Sequence, residues 1–503
     1  MKGVVAAGDR LTAKAAADIL REGGNAFDAA CAAMLCAPLC EPMLSSLGGG
    51  GFMMAHENAE IPVIYDFFVD VPTTHCKTPD FFPVYVDFGN AVQEFHIGAG
   101  SIAIPGMIAG IEKISKEKGT MPLKSIISPA IEYARNGIYL TKLQASFVKL
   151  LEPILRSTKE SSELFVPQNR LIDEKSKIFN HDYADFLETF SKEGSDIFYK
   201  GEIASKIDEM CRNGDGSLRM EDLENYTVKK RKPIAFSYKG YDILTNPPPS
   251  AGGILISFTM KMLEDADDSS IEKYLKELIE SMVITSDFRK THIDRNLHDP
   301  ELRKIMSDDR LLSHYHLSKK SRINLWGNTT HISVLDSKGN CASATITNGE
   351  GSGLIAPGTG IMLNNMLGEE DLNPHGFFRW PQGVRLPSMM APTIVLDDRG
   401  KPVLVLGSAG SNRIRSAIVE VTNRYITFGE KISEAIEAPR VHYEQGKLFF
   451  EPGCSPKVIE KAKKIYEVSV FSEKNLFFGG VNAVTGDFDA GADPRRGGSV
   501  EKV

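Results

Sequence analysis

A chain of 503 residues, 42% hydrophobic and 25% charged, carries the apolar content of a large packed core. At roughly 100–200 residues per domain it is long enough for two or more. A net charge of −8 argues against a nucleic-acid partner, which asks for clustered Lys and Arg; the short basic runs Lys229–Lys232 and Lys319–Arg322 read as solvated loops or helix faces. The longest strongly apolar stretch, Ala29–Cys40, contains Pro38 and ends at Glu41. It is too short to span a bilayer, so a buried helix and no membrane partner are expected.

In chain order, Gly3–Ala7 is expected as a short strand. The chain reaches Asp9 and Arg10 before an apolar signal region can form. Cys31, Cys36 and Cys40 sit among alanines without zinc-site spacing. Free thiols and no signal suit a cytoplasmic protein. Two helices follow, the first capped by Thr12 and ended at Gly23-Gly24, the second over Ala26–Leu35. The run Gly48–Gly51 has no Gly-Lys-Ser/Thr after it and a strand next, so it is a glycine turn allowing close backbone approach and not a phosphate loop. Leu123–Lys230 and Ser269–Thr291 look helical, interrupted by Asn246–Gly253, whose prolines dictate an ordered loop. Lys319–Asn328 is polar and aperiodic, an expected exposed segment.

After Thr329 the pattern changes to strands: Thr330–Leu335, Cys341–Thr347, Thr393–Leu396 and Pro402–Leu406, with a helix over Ile414–Tyr425. Asp336–Asn340 is turn chemistry. If Ser337, Lys338 and left-handed Gly339 form the loop, Val334 faces Ala342, Ile332 faces Ala344 and Thr329 faces Thr347, with paired Cβ atoms roughly 5 Å apart. A two-residue loop would spoil that register. A threonine hydroxyl is a poor nucleophile without a neighbouring base. Cleavage between Asn328 and Thr329 would supply one, because the freed α-amine titrates at about 8. The alternative is an ordinary hairpin stabilised by two β-branched residues.

The run Thr329–Val334 with Asp336 and Gly339-Asn340 resembles the segment that opens the small subunit of γ-glutamyltranspeptidases. The resemblance spans nearly the whole chain, through Gly23–Ala30, Glu41–Phe52, Gly119–Leu123, Phe198–Gly201, Pro247–Gly253, Gly358–Asn365, Ala391–Thr393, Ala438–Arg440 and Ala492–Gly498. It implies an α+β fold, a four-layer αββα sandwich built jointly by residues 1–328 and 329–503 after the cut. It implies that Thr329 attacks the Asn328 carbonyl, that water resolves the ester, and that the freed Thr329 then forms an acyl-enzyme with a small-molecule amide, passed to water or an amine. Thr347 matches the threonine that hydrogen-bonds the nucleophile, and the backbone N–H groups of Gly410 and Ser411 match the oxyanion hole. The partners implied are the two fragments of the precursor, with homo-oligomerisation left open; neither a metal nor an organic cofactor is called for.

Recognition of substrate departs from the family. Its carboxylate-gripping arginine is replaced by Phe68 in Asp66-Phe67-Phe68-Val69, and its paired serines by Ser388 and Met389. The stretch that receives the α-amine becomes Asn364–Asp371, leaving Asn365 and Glu369 as candidate contacts. A phenyl ring cannot replace a bidentate charge-assisted contact. Three readings follow: a γ-glutamyl hydrolase or transferase using another cation, the same chemistry on a different amide, or an uncleaved, non-catalytic relative.

Overall fold

The computed structural model describes all residues except 59, 88–91, 300, 301 and 303–326. Two sheets face each other. The first sheet is entirely antiparallel. It contains β1 (Gly3–Ala7), β2 (Gly50–His56), β3 (Val63–Phe67), β4 (Lys229–Arg231), β7 (Thr330–Asp336), β8 (Cys341–Thr347) and β13 (Ser499–Lys502), ordered β13-β1-β7-β8-β2-β3-β4. The second contains β5 (Ile234–Tyr238), β6 (Tyr241–Thr245), β9 (Thr393–Leu396), β10 (Pro402–Ala409), β11 (Gly480–Thr485) and β12 (Ala490–Ala492), ordered β12-β11-β10-β9-β6-β5.

Alternation along β1 shows why these residues make a layered core. Val4 and Ala6 pack toward the second sheet, Val5 and Ala7 toward the outer helices α1 (Arg10–Arg21) and α2 (Ala26–Cys40). The second sheet is covered by α3 (Gly252–Met262), α4 (Ile271–Phe288) and α5 (Ile414–Ile426). The expected αββα sandwich is the fold, and each sheet draws strands from both sides of Asn328-Thr329.

Local differences have physical causes. Asp9, not Thr12, caps α1, accepting from Leu11 N–H at 2.7 Å; Thr12 is buried and donates to Glu41 Oε1 at 3.0 Å. The second helix runs five residues past Leu35, through Pro38, because its whole circumference is buried. Lys229–Arg231 is an edge strand and not a helix or loop, Arg231 pairing with Asp66 at 2.6 Å. Of the segment expected to be exposed, residues 319–326 lie outside the described residues, while Asn328 is 3% exposed. Among the described residues no helix is long and apolar enough to cross a membrane.

Candidate active site

The hairpin β7–β8 has the expected register: Ile332 pairs with Ala344 and Val334 with Ala342. Asp336 N–H donates to Asn340 O at 3.0 Å, and Gly339 takes φ +85°, a left-handed value that favours glycine. Continuing outward, Thr329 stands opposite Thr347, both buried. Thr329 Oγ1 donates to the Asn328 carbonyl oxygen at 2.7 Å, and the Thr347 hydroxyl donates to the same oxygen. Gly349 N–H donates to Thr347 Oγ1 at 3.1 Å. That oxygen is thus an acceptor from Gly349, and its one proton points at the Asn328 carbonyl.

Two supports hold this pair. The glycine turn presses on the end of β8, where a Cβ on Gly49 would lie 2.1 Å from the Thr347 carbonyl oxygen. On the opposite face of β7, Thr330 Oγ1 donates to Glu41 Oε2 at 2.6 Å. Glu41 is fully enclosed; burial, and then Asp9, push its carboxyl up to about 8. His331 lies between the sheets with Nδ1 2.8 Å from Thr345 Oγ1, and burial pulls it down to about 3, so the ring is neutral.

A cavity of about 40 Å³ opens beside Thr329. It is lined by Asn328, Thr329, Thr347 and Ser411, and also by Phe68, Ser388 and Met389 on one wall and by Glu369, Asp371, Asn412, Arg289 and Asp294 on another. Phe68 is fully buried and stacks on Phe52 with ring centroids 5.4 Å apart. Arg385 does not supply the missing cation: it pairs with Asp70 at 3.1 Å and Asp66 at 3.5 Å and donates to the Phe68 carbonyl, away from the cavity.

Ser411 lies in a turn where Gly410 has φ +117° and Ser411 φ +50°, leading into α5. The chain before Thr329 runs against it: a Cβ on Gly327 would be 2.8 Å from Ser411 N. Gly410 itself does not line the cavity. The Ser411 hydroxyl donates to Asp371, which also accepts from Asn412 Nδ2 at 3.1 Å. Burial, then Glu444, raise the Asp371 carboxyl; burial, then Glu350 and Asp371, raise Glu369 well above the usual range. The sequence thus locates Phe68, Glu369, Ser388 and Ser411 on the cavity. Asn365 is a correction: its Oδ1 accepts from Glu350 N–H at 2.9 Å and its Nδ2 donates to His96 O at 3.2 Å, so its amide is spent behind the wall. Arg289, Asp294 and Asn412 went unrecognised, because nothing local marks one arginine at a helix end as a cavity residue.

Comparison with known proteins agrees with this geometry. The family model "Gamma-glutamyltranspeptidase" matches residues 12–503. "Glutathione hydrolase proenzyme" of Bacillus subtilis (strain 168) is 29% identical over 99% of this chain and 91% of its own. "Acylase ACY 1 proenzyme" of Pseudomonas sp. (strain SE83) is 29% identical over 92% of this chain and 86% of its own. The crystal structure of cephalosporin acylase from Bacillus halodurans has the same fold, with TM-score 0.81 and 21% identity over 99% of this chain and 95% of that one. With the sandwich, the threonine pair at the sheet end and the family match over nearly its whole length, the chain belongs to the γ-glutamyltranspeptidase family and is an enzyme of the threonine N-terminal-nucleophile class.

Proposed function

We propose that this chain is a precursor that cleaves itself between Asn328 and Thr329 and then acts as an amidohydrolase and acyltransferase. The observation that carries the reading is the Asn328 carbonyl oxygen, which accepts from both threonine hydroxyls. Thr329 Oγ1 adds to the carbonyl carbon as its proton leaves, and Thr347 donates to the oxygen as negative charge develops there. The C–N bond breaks, the Thr329 nitrogen takes the proton, and an ester remains. Water hydrolyses that ester, giving residues 1–328 and 329–503, which stay interleaved through the shared sheets. The new α-amine is the base for the second cycle, in which Thr329 acylates itself from a small amide and water or an amine takes the acyl group. Of the two N–H groups that the resemblance assigns to the second oxyanion, that of Ser411, on the cavity wall, serves it.

For the acyl half, Phe68 and Met389 on the cavity wall favour a group without the α-carboxylate of a γ-glutamyl substrate. The acylase relative supports that choice and the glutathione hydrolase relative the γ-glutamyl one. Seven free cysteines, six of them buried, support a cytoplasmic location. The test is a denaturing gel with N-terminal sequencing, followed by kinetics on anilides matched except for the α-carboxylate. Two bands are expected, the smaller beginning at Thr329, with the carboxylate-free anilide favoured; Thr329→Ala gives one band and no turnover. A wild-type chain that stays whole yet hydrolyses amides would sink the mechanism.

A further inference from the structure

Ser411 is a serine in a conformation that favours glycine. Its φ is +50°, and it follows Gly410 at φ +117° and ψ +34°. A Cβ disfavours that left-handed region, which glycine enters freely. The same torsions aim the Ser411 N–H. Its nitrogen faces Gly327 on the cavity wall, where a Cβ on Gly327 would come within 2.8 Å of it. A Ser411 that relaxed to negative φ would turn away the N–H that serves the second oxyanion.

Asp371, in the turn Glu370–Leu372, holds the residue as it is. One of its oxygens accepts from the Ser411 hydroxyl, the other from Asn412 Nδ2 at 3.1 Å. Asn412 is itself fixed from two sides: Arg289 Nη1 donates to its Oδ1 at 2.7 Å, and its Nδ2 also donates to Glu444 Oε1 at 2.7 Å. With the amide oxygen turned to Arg289, the amide nitrogen is committed to the two carboxylates. Asp371 is thereby fastened at one oxygen and grips Ser411 with the other. Burial, then Glu444, raise the Asp371 carboxyl, and the bond from Ser411 is the largest influence drawing it back.

We propose that Asp371 is a positioning residue for acyl transfer. Through the Ser411 hydroxyl it keeps Ser411 left-handed, with its N–H directed at the oxygen of the tetrahedral intermediate. The proposal rests on the acyl-transfer reading above. Asp371 acts on the substrate only through that N–H.

The test is a double-mutant cycle on processed enzyme, with kcat and KM measured on whichever of the matched anilides the wild type hydrolyses faster. Asp371→Ala should lower kcat by roughly 10- to 150-fold, the range for one hydrogen bond to a charged group. KM should change little, because an oxyanion donor is felt in the transition state and not in the bound substrate. In a Ser411→Gly background, where residue 411 needs no holder, the same substitution should cost only a small part of that. A loss equal in both backgrounds, or one carried by KM, would make Asp371 a substrate contact and overturn the proposal. Should Asp371→Ala not fold or not be processed, Ser411→Ala and Ser411→Gly decide. The alanine keeps the Cβ without the hydroxyl that secures it and should turn over more slowly than the glycine; equal rates overturn the proposal. If the wild type stays whole or hydrolyses no amide, the acyl-transfer reading has failed, and melting temperatures of the same four chains decide the lock. A fall on Asp371→Ala that is larger with serine than with glycine at position 411 sustains it, and equal falls overturn it.

Discussion

At the scale of single residues, the site depends on which way one proton points. Thr347 receives Gly349 N–H and gives its own proton to the Asn328 carbonyl, so Thr347→Val keeps the β-branched shape and removes the donor to that carbonyl together with the acceptor of Gly349 N–H. One lost oxyanion donor slows an acyl transfer by about 100- to 1,000-fold. Self-cleavage of this variant should slow by that order on a gel time course while its melting temperature falls by no more than several degrees, the cost of one buried N–H left without its acceptor. A variant processed at the wild-type rate would reduce Thr347 to a packing residue. Thr329 facing Thr347 is legible in the sequence, because turn chemistry and a period of two place them without reference to the rest of the chain.

At the scale of elements, the two sheets touch closely enough that β10 has room for glycine alone over the His331 ring. A Cβ on Gly407 would lie 2.3 Å from His331 Cε1. The ring cannot swing aside cheaply, since Thr345 Oγ1 at 2.8 Å and Ser333 Oγ at 3.0 Å hold its nitrogens. Gly407→Ala must therefore separate β7 from β10, and overpacking of this kind costs about 1–3 kcal/mol. The expected result is a melting temperature lower by several degrees and slower processing, because His331 is two residues from the nucleophile. An unchanged melting temperature would show that the inter-sheet layer yields. Nothing in the Gly407 segment announces this contact; it exists only once β7 and β10 face each other.

At the scale of the molecule, buried acids set the response to pH. Burial pushes Glu41 and Glu420 each from 4.5 up to about 8. Between those values the folded state holds protons that the unfolded chain has released, so their contribution falls as pH rises from about 4.5 to about 8. The slope is at most about 1.4 kcal/mol per pH unit for one group. Glu41→Gln, neutral at every pH and similar in size, should narrow the gap between melting temperatures at pH 6 and pH 9. Making the comparison in a Thr329→Ala background keeps every sample uncleaved. An equal gap in both proteins would mean that Glu41 is ionised throughout.

The amino-acid sequence by itself determines the hairpin and its register, and the family resemblance that its motifs carry implies the sandwich, Thr329 as nucleophile and the departures at Phe68, Ser388 and Met389. The hairpin follows from alternation and turn residues, whose physics is local or repeated along a strand; the rest follows from the resemblance. Only the tertiary structure decides how polar side chains are spent. Thr12 leaves its expected cap for Glu41, Asn365 turns from substrate to the Glu350 backbone, and Arg289 and Asn412 come from separate segments to one cavity. A polar group deep in a protein takes whichever partner the packed chain brings within about 3 Å, and neighbours in sequence do not specify that partner.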